Sequence, residues 1–322
     1  MKQNIYSKLW IIFFVLMGAA CTNQVEDAIP VSDQPIEFSV QSDWKEIPNT
    51  RLNAGRDTFK VGNKIQIFGF HKSSSGEVQK FMYRVGDENR GQIVKFDGTN
   101  WNYSPKRFWP KEGTLVFYAG YPEYSVWYNN TKKMMAYEQT VNRLQLDLLW
   151  GDSTSLDCTK DHKDVVITMK HALAKVIIRF DESSLDNIKQ AFVSAYKTGY
   201  FDKNDTKDGI PNWIVENPSD TVTAILSPFE DQPTIGDATV FILPGKITKL
   251  ILITLDGKEI DASEKIQEYT FEAGKLYNLT IKSTDASADD KKKGRNQYFQ
   301  SDGEQKNTKP RSIVMSVRCV SE

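Results

Sequence analysis

Gln92-Ile93-Val94-Lys95-Phe96-Asp97-Gly98-Thr99-Asn100-Trp101-Asn102-Tyr103 is a pair of short runs rich in β-branched and aromatic residues with Asp97-Gly98 between them. Asp-Gly in that setting is a strong hairpin signal, because both residues tolerate the positive φ of the tight turns that match strand twist. The stretch predicts two antiparallel strands and makes β structure the expectation for its neighbours. Downstream, Trp109-Pro110 and Gly113 precede Thr114 to Ala119, a β-rich run closed by Gly120 and Pro122. Upstream, Ile36, Phe38 and Val40 alternate with polar residues, and Phe59, Val61, Ile65 and Ile67 lie in another short stretch interrupted by Gly62 and Asn63.

Asp147 to Lys163 is polar, rich in Asp and Ser, and reads as a connection. A second set of strands then begins with Val165 to Met169 and Leu173 to Phe180, both with period-two apolar positions, and continues through Val193 to Phe201. Thr221 to Leu226, Ala238 to Leu243, Lys249 to Leu255 and Tyr277 to Ile281 complete it, with Pro244-Gly245, Asp256-Gly257 and Ala273-Gly274 as turns. Helix signals are confined to Leu185 to Ala191 and Asn142 to Leu149. The expectation is an all-β chain: a β-sandwich over 36–160 and a second in tandem over 161–282.

Residues 283–322 read as a flexible linker and a C-terminal strand. Ser283 to Arg311 carries Lys291-Lys292-Lys293 and too few apolar residues to fold alone. After it, Ile313, Met315, Val317 and Cys319 alternate with Val314, Ser316, Arg318 and Val320, the pattern of a half-buried strand.

At the other end, Lys2 and Lys8 flank the apolar run Leu9 to Met17, which is followed by Gly18-Ala19-Ala20. A basic flank, a short apolar run and small residues make a secretory signal over 1–20, since a spanning helix needs about 20 apolar residues. Gly18-Ala19-Ala20-Cys21 resembles the lipobox of bacterial lipoproteins, which implies that Cys21 is acylated and anchors the mature chain to the outer membrane. Residues 21–35, with Glu26, Asp27, Pro30, Asp33 and Pro35, read as a tether. The net charge of the 322 residues is −1, which gives no electrostatic case for nucleic acid. Cys158 and Cys319 remain, and an oxidising compartment permits a disulfide between them without demanding one.

Catalytic and metal chemistry find little support. His71, His162 and His171 are the three histidines, and no Gly-x-Ser-x-Gly, His-Glu-x-x-His or Gly-Lys-Ser/Thr phosphate loop is present. His171 lies in a strand-like run where a packed or hydrogen-bonded imidazole is expected. Asp202 to Gly209 has the oxygen density of a calcium loop, but its glycine falls at the eighth place and Trp213 stands where the bidentate Glu belongs, so a polar hairpin loop is expected. Trp44, Trp101, Trp127 and Trp213 would form a sugar-stacking face if they shared a surface, although most sandwich aromatics fill the core.

Several fragments, taken in order, carry a resemblance. Phe59-Lys60-Val61-Gly62-Asn63-Lys64-Ile65, Phe108-Trp109-Pro110 and Leu115-Val116-Phe117-Tyr118-Ala119-Gly120-Tyr121-Pro122 resemble the first domain of the fimbrillin family of Bacteroidetes-type surface lipoproteins. Asp147-Leu148-Leu149, Met169-Lys170-His171-Ala172-Leu173-Ala174-Lys175-Val176, Phe241-Ile242-Leu243-Pro244-Gly245 and Phe271-Glu272-Ala273-Gly274-Lys275-Leu276-Tyr277 resemble the second. The resemblance implies two transthyretin-like sandwiches, no enzymatic activity, no cofactor, and a fimbrial subunit or associated adhesin with other subunits as partners and host or bacterial surface ligands. The alternative is a surface lipoprotein binding glycans for nutrient uptake. It also implies trypsin-like cleavage after Arg51 or Arg56, which releases the leader with the first strand; Thr50-Arg51 resembles the family's cleavage context. A loop arginine that is never cut is the other reading. For Ile313 to Val320 two outcomes stand open: folding back on its own domain with a Cys158–Cys319 disulfide, or addition to a groove that the departed Ile36 to Val40 leaves in a neighbouring subunit.

Overall fold

The computed structural model describes residues 29–42, 59–139, 146–160, 164–180, 188–218, 224–226, 238–284 and 312–320. In chain order the first strands are β1 (Val31–Pro35), β2 (Phe38–Ser42), β3 (Lys64–Lys72), β4 (Val78–Met82), β5 (Gln92–Phe96), β6 (Trp101–Asn102), β7 (Phe108–Pro110), β8 (Thr114–Tyr121), β9 (Val126–Asn129), β10 (Met134–Glu138), β11 (Leu149–Asp152), β12 (Leu156–Asp157) and β13 (Val165–His171). There follow β14 (Ala174–Phe180), β15 (Ile188–Ser194), β16 (Tyr196–Phe201), β17 (Thr206–Lys207), β18 (Ile210–Pro211), β19 (Ile214–Pro218), β20 (Ala224–Leu226), β21 (Ala238–Ile242), β22 (Lys249–Thr254), β23 (Glu259–Asp261), β24 (Leu276–Thr284) and β25 (Ser312–Val320). A single turn of helix, α1 (Ser263–Ile266), lies between β23 and β24. The all-β expectation holds.

The hairpin that opened the sequence reading forms as expected: Phe96 pairs with Trp101 and Lys95 with Asn102. The Asp97 carboxylate accepts the backbone N–H groups of Thr99 (2.8 Å) and Asn100 (2.7 Å) while Gly98 takes φ +110°. Those bonds, Asn100 first, hold the Asp97 pKa below the usual carboxylate value.

The largest sheet runs β2-β13-β11-β8-β3-β5-β6, with β4 on β3 and β12 on β8. Its strands are apolar on both sides. Ile67, Phe117 and Leu149 face one buried cluster with Phe38, Ile65, Trp109 and Ile167, while their neighbours Phe68, Tyr118 and Trp150 face another with Met135, Tyr137, Phe201 and Leu243. Burying both faces explains why Thr114 to Ala119 reads as a near-continuous apolar run rather than an alternating one. In the second half, sheets β21-β14-β24-β25 and β20-β15-β22-β23 enclose a third cluster that includes Val176, Val193, Val240, Leu252 and Leu279.

The sheet β19-β16-β10-β9 joins the halves, since β9 and β10 precede β11 while β16 and β19 follow β14. Its inner residues supply the cluster shared with Phe241 and Leu243. Gly199 on β16 is required there: a Cβ would lie 2.7 Å from both Leu243 Cδ2 and Trp213 Cε3. The buried Gln139 spans the same junction, its side-chain amide donating to Phe241 O and its carbonyl accepting Leu243 N–H.

Four expectations need correction. Val31–Pro35, read as part of a tether, is β1 and pairs antiparallel with β7, because the 107–111 segment offers it backbone partners. Val165–His171, assigned to the second domain, belongs to the first sheet, where β2 supplies its parallel partner and Val165, Ile167 and Met169 complete the first cluster. Leu185 to Ala191 is not helical from Ile188 onward; β15 is gripped by β20 and β22, and pairing overrides the local helix pattern. Leu149 likewise starts β11, between β8 and β13.

Candidate functional site

Two strands near the ends of the chain, β2 and β25, sit at sheet edges. β2 is the outermost strand of the large sheet and lies parallel to β13, Phe38 against Val165 through Ser42 against Met169. Its inward residues are core: Ile36 and Phe38 are buried, and Phe38 meets Phe117 (5.2 Å, 85°) and Tyr103 (5.7 Å, 61°) edge to face. The Tyr103 hydroxyl donates to Ile36 O at 2.7 Å, and Ile36 N–H donates to Arg107 O at 2.9 Å. Burial pushes the Tyr103 pKa up to about 12. At the surface Lys106 pairs with Glu37 at 2.8 Å. β2 is thus held by its five-pair ladder to β13, by the Ile36 backbone bond to Arg107, by an apolar comb and by a buried phenol, with residues 43–58 linking it onward.

β25 occupies the corresponding edge of the second half. It runs antiparallel to β24 over nine pairs, Leu276 with Val320 through Thr284 with Ser312. Met315 enters the third cluster, Val317 packs beside it, and the Tyr269 hydroxyl donates to Met315 O at 3.4 Å. Ser316 and Arg318 face solvent, as the alternation predicts. Cys319 departs from the expected inward face and is exposed, although its register partner Tyr277 belongs to the cluster.

Here, then, β25 folds back on its own sheet without a disulfide: Cys319 and Cys158 are both free thiols. Cys158 lies buried in the first cluster, and burial raises its pKa to about 11, so it stays a packed thiol. Cys21, Arg51 and Arg56 lie outside the described residues. Sequence reasoning missed the Tyr103–Ile36 anchor and the parallel β2–β13 pairing, which join residues far apart in the chain and leave no local signal.

The remaining candidates have structural places. His171 Nδ1 bonds the buried Asp147 carboxylate, and His71 Nε2 lies 2.8 Å from Glu112 O; His162 is outside the described residues. Asp202 to Gly209 contains β17 and the turn of the small β17–β18 hairpin, as expected of a polar hairpin loop. Trp101 is buried beside Phe59 and Phe96, and Trp213 donates Nε1–H to Ala172 O at 2.7 Å and packs on Phe201. They serve different clusters and Trp127 is half-buried under Arg90, so the described tryptophans form no common sugar-stacking face; Trp44 lies outside the described residues.

A family model described as fimbrillin-like matches residues 50–295. The chain belongs to the fimbrillin-like family. The fold of this fimbrillin-like chain is similar to that of a candidate cell adhesion protein from Bacteroides uniformis, with a TM-score of 0.51 and 16% identity over 92% of this chain and 99% of the other. A candidate cell adhesion protein from Bacteroides ovatus matches at a TM-score of 0.49 and 14% identity, over 78% of this chain and 92% of that one. The fimbrial anchor protein Mfa2 from Porphyromonas gingivalis matches at 0.37 and 11%, over 80% and 93%. No curated protein matches the sequence.

Proposed function

We propose that this fimbrillin-like chain is a non-enzymatic subunit or associated adhesin of a cell-surface fimbria, exported as a lipoprotein on Cys21 and joined to its neighbours by strand addition. Family membership supports the fimbrial role. The assembly step is supported by one observation above the rest: β2 and β25, near the two ends of the chain, are edge strands with one ladder neighbour each in their sheets, and a polar segment, 43–58 or 285–311, joins each to the body.

Cleavage at Arg51, or at Arg56, would free β2. Its departure would leave β13 with unpaired backbone groups above the apolar sites of Ile36, Phe38 and Val40. A strand with the alternation Ile313, Met315, Val317, Cys319 suits that trough, with backbone hydrogen bonds for affinity and alternate side chains for register. Before assembly the same strand covers its own β24 edge, which keeps it from aggregating. Deleting 312–322 tests the step: the reading expects exported protein that no longer joins polymers, and it fails if the truncated subunit still polymerises. N-terminal sequencing of shed protein tests cleavage; a start at Cys21 alone rules it out.

A further inference from the structure

The residues from Ile36 to the end of β2 recur in β25. Ile36-Glu37-Phe38-Ser39-Val40-Gln41-Ser42 set against Ile313-Val314-Met315-Ser316-Val317-Arg318-Cys319 repeats Ile, Ser and Val at the same places. The other places exchange like for like, Phe38 for Met315, Gln41 for Arg318 and Ser42 for Cys319, apart from Glu37, where Val314 stands. A slip of two residues in either direction keeps none of the three identities, and a slip of one puts Ser316 on the inward face.

The inward residues of the first segment are deeply set: Ile36 is inaccessible, and Phe38 and Val40 are buried. On β24 the later strand is seated more shallowly, with Met315 at the margin of the cluster and Val317 only half-buried. Moving β25 into the trough of β2 buries more of its apolar surface. The fit is by size. Ile and Val enter Ile and Val sites, and Met315 takes the place of Phe38 between Phe117 and Tyr103, where a flexible thioether packs well against aromatic rings. A slip of two would put Ile313 or Val317 there and leave that site underfilled. The Tyr103 hydroxyl and Arg107 O bind the backbone of Ile36, not its side chain, so both serve Ile313 unchanged. Val314 forgoes the Glu37 ion pair with Lys106, a surface contact of small weight.

We infer that the occupant of the trough left by β2 is β25 of a second copy of this same chain, in one register that sets Ile313, Met315 and Val317 in the places of Ile36, Phe38 and Val40. The chain then carries both a donor and its matching acceptor, which makes it a self-polymerising shaft subunit. Segment 285–311 reaches up to ~90 Å if extended at ~3.3 Å per residue, enough to cross to a neighbour. The inference rests on the cleavage and strand addition proposed above and adds to them the identity of the partner and the register.

Cysteines on the exposed face read the register. Ser39 pairs with the exposed Val166 of β13, so Ser316 of the incoming strand should face Val166 of its neighbour, with Cα atoms about 5 Å apart and within disulfide range. In cells producing the full chain with Cys319→Ser, Val166→Cys and Ser316→Cys, mild oxidation should give surface extracts a ladder that survives boiling and collapses on reduction; Cys158 is buried and does not compete. Val166→Cys combined with Val314→Cys or Arg318→Cys, which report slips of two, should give at least about tenfold less of it. A ladder present before boiling that none of the three pairs locks means that a different chain donates the strand, which overturns the inference while strand addition stands. Stronger locking by a slipped pair overturns the register. A disulfide confined to monomer-sized protein means that the strand fills its own trough, which overturns the partner. If the wild type shows no ladder even before boiling, strand addition falls and the inference falls with it.

Discussion

Phe38→Ala probes whether β2 is part of the core or a loosely applied strap. Phe38 is 4% exposed and packs edge-on against Phe117 and Tyr103, so truncation removes a buried ring and two aromatic contacts. Phe→Ala in a core costs about 3–5 kcal/mol, and an edge strand can partly collapse into the space, which places the expected loss near 3 kcal/mol. At about 2–4 °C per kcal/mol for a protein of this size class, the thermal midpoint should fall by about 6–12 °C. Far-UV circular dichroism during a thermal ramp reads the shift. Val166→Ala is the control: Val166 lies on the next strand but is 56% exposed on the opposite face, and its loss should stay within about 0.5 kcal/mol. A loss below about 1 kcal/mol for Phe38→Ala would refute the reasoning, because β2 would then contribute backbone pairing and little else.

Tyr103→Phe leaves Ile36 O without its buried donor and should cost about 1–3 kcal/mol by urea denaturation. Because burial raises the Tyr103 pKa from 10 to about 12, the neutral phenol is favoured in the fold; its stabilising contribution is complete below pH 10 and is lost as pH rises through 12, so the gap between wild type and variant should narrow over that window. Gln139→Ala strips Phe241 O and Leu243 N–H of their side-chain partner at the junction of the halves and should destabilise by about 1–3 kcal/mol, read as a lower urea midpoint; no change would mean that the junction is held by the aromatics alone. Met315→Ala should cost about 2 kcal/mol in the unassembled chain, at the low end for a buried methionine because Met315 lies at a sheet edge, and a neutral result would show that β25 does not rest on its own core in solution.

Local chemistry was legible in the sequence where the chain folds on its neighbours. Asp97-Gly98 and Asp256-Gly257 mark real hairpins, β5–β6 and β22–β23, because turn residues and strand pairs lie within a few positions of one another. The alternation of 313–320 likewise announces a strand. What distant partners decide was not legible. β13 reads as a strand in either domain, and only its parallel pairing with β2, over a hundred residues earlier, assigns it to the first sheet. Ile188 to Ala191 has a helix-compatible pattern that β20 and β22 override. Val31–Pro35 has the polar composition of a tether and becomes a strand because β7 presents an edge. For the site, the alternation shows the comb of Ile36, Phe38 and Val40, whereas the edge position that gives it meaning is a property of the assembled sheet.

The central claim, that the protein is a polymer-forming subunit, meets its most direct test in surface extracts separated by electrophoresis without boiling and probed for this chain. Subunits joined by backbone hydrogen bonds and buried side chains add one constant mass per step, so the account predicts a ladder of regularly spaced bands that collapses to one band on boiling. A single monomer-sized band before and after boiling would contradict it.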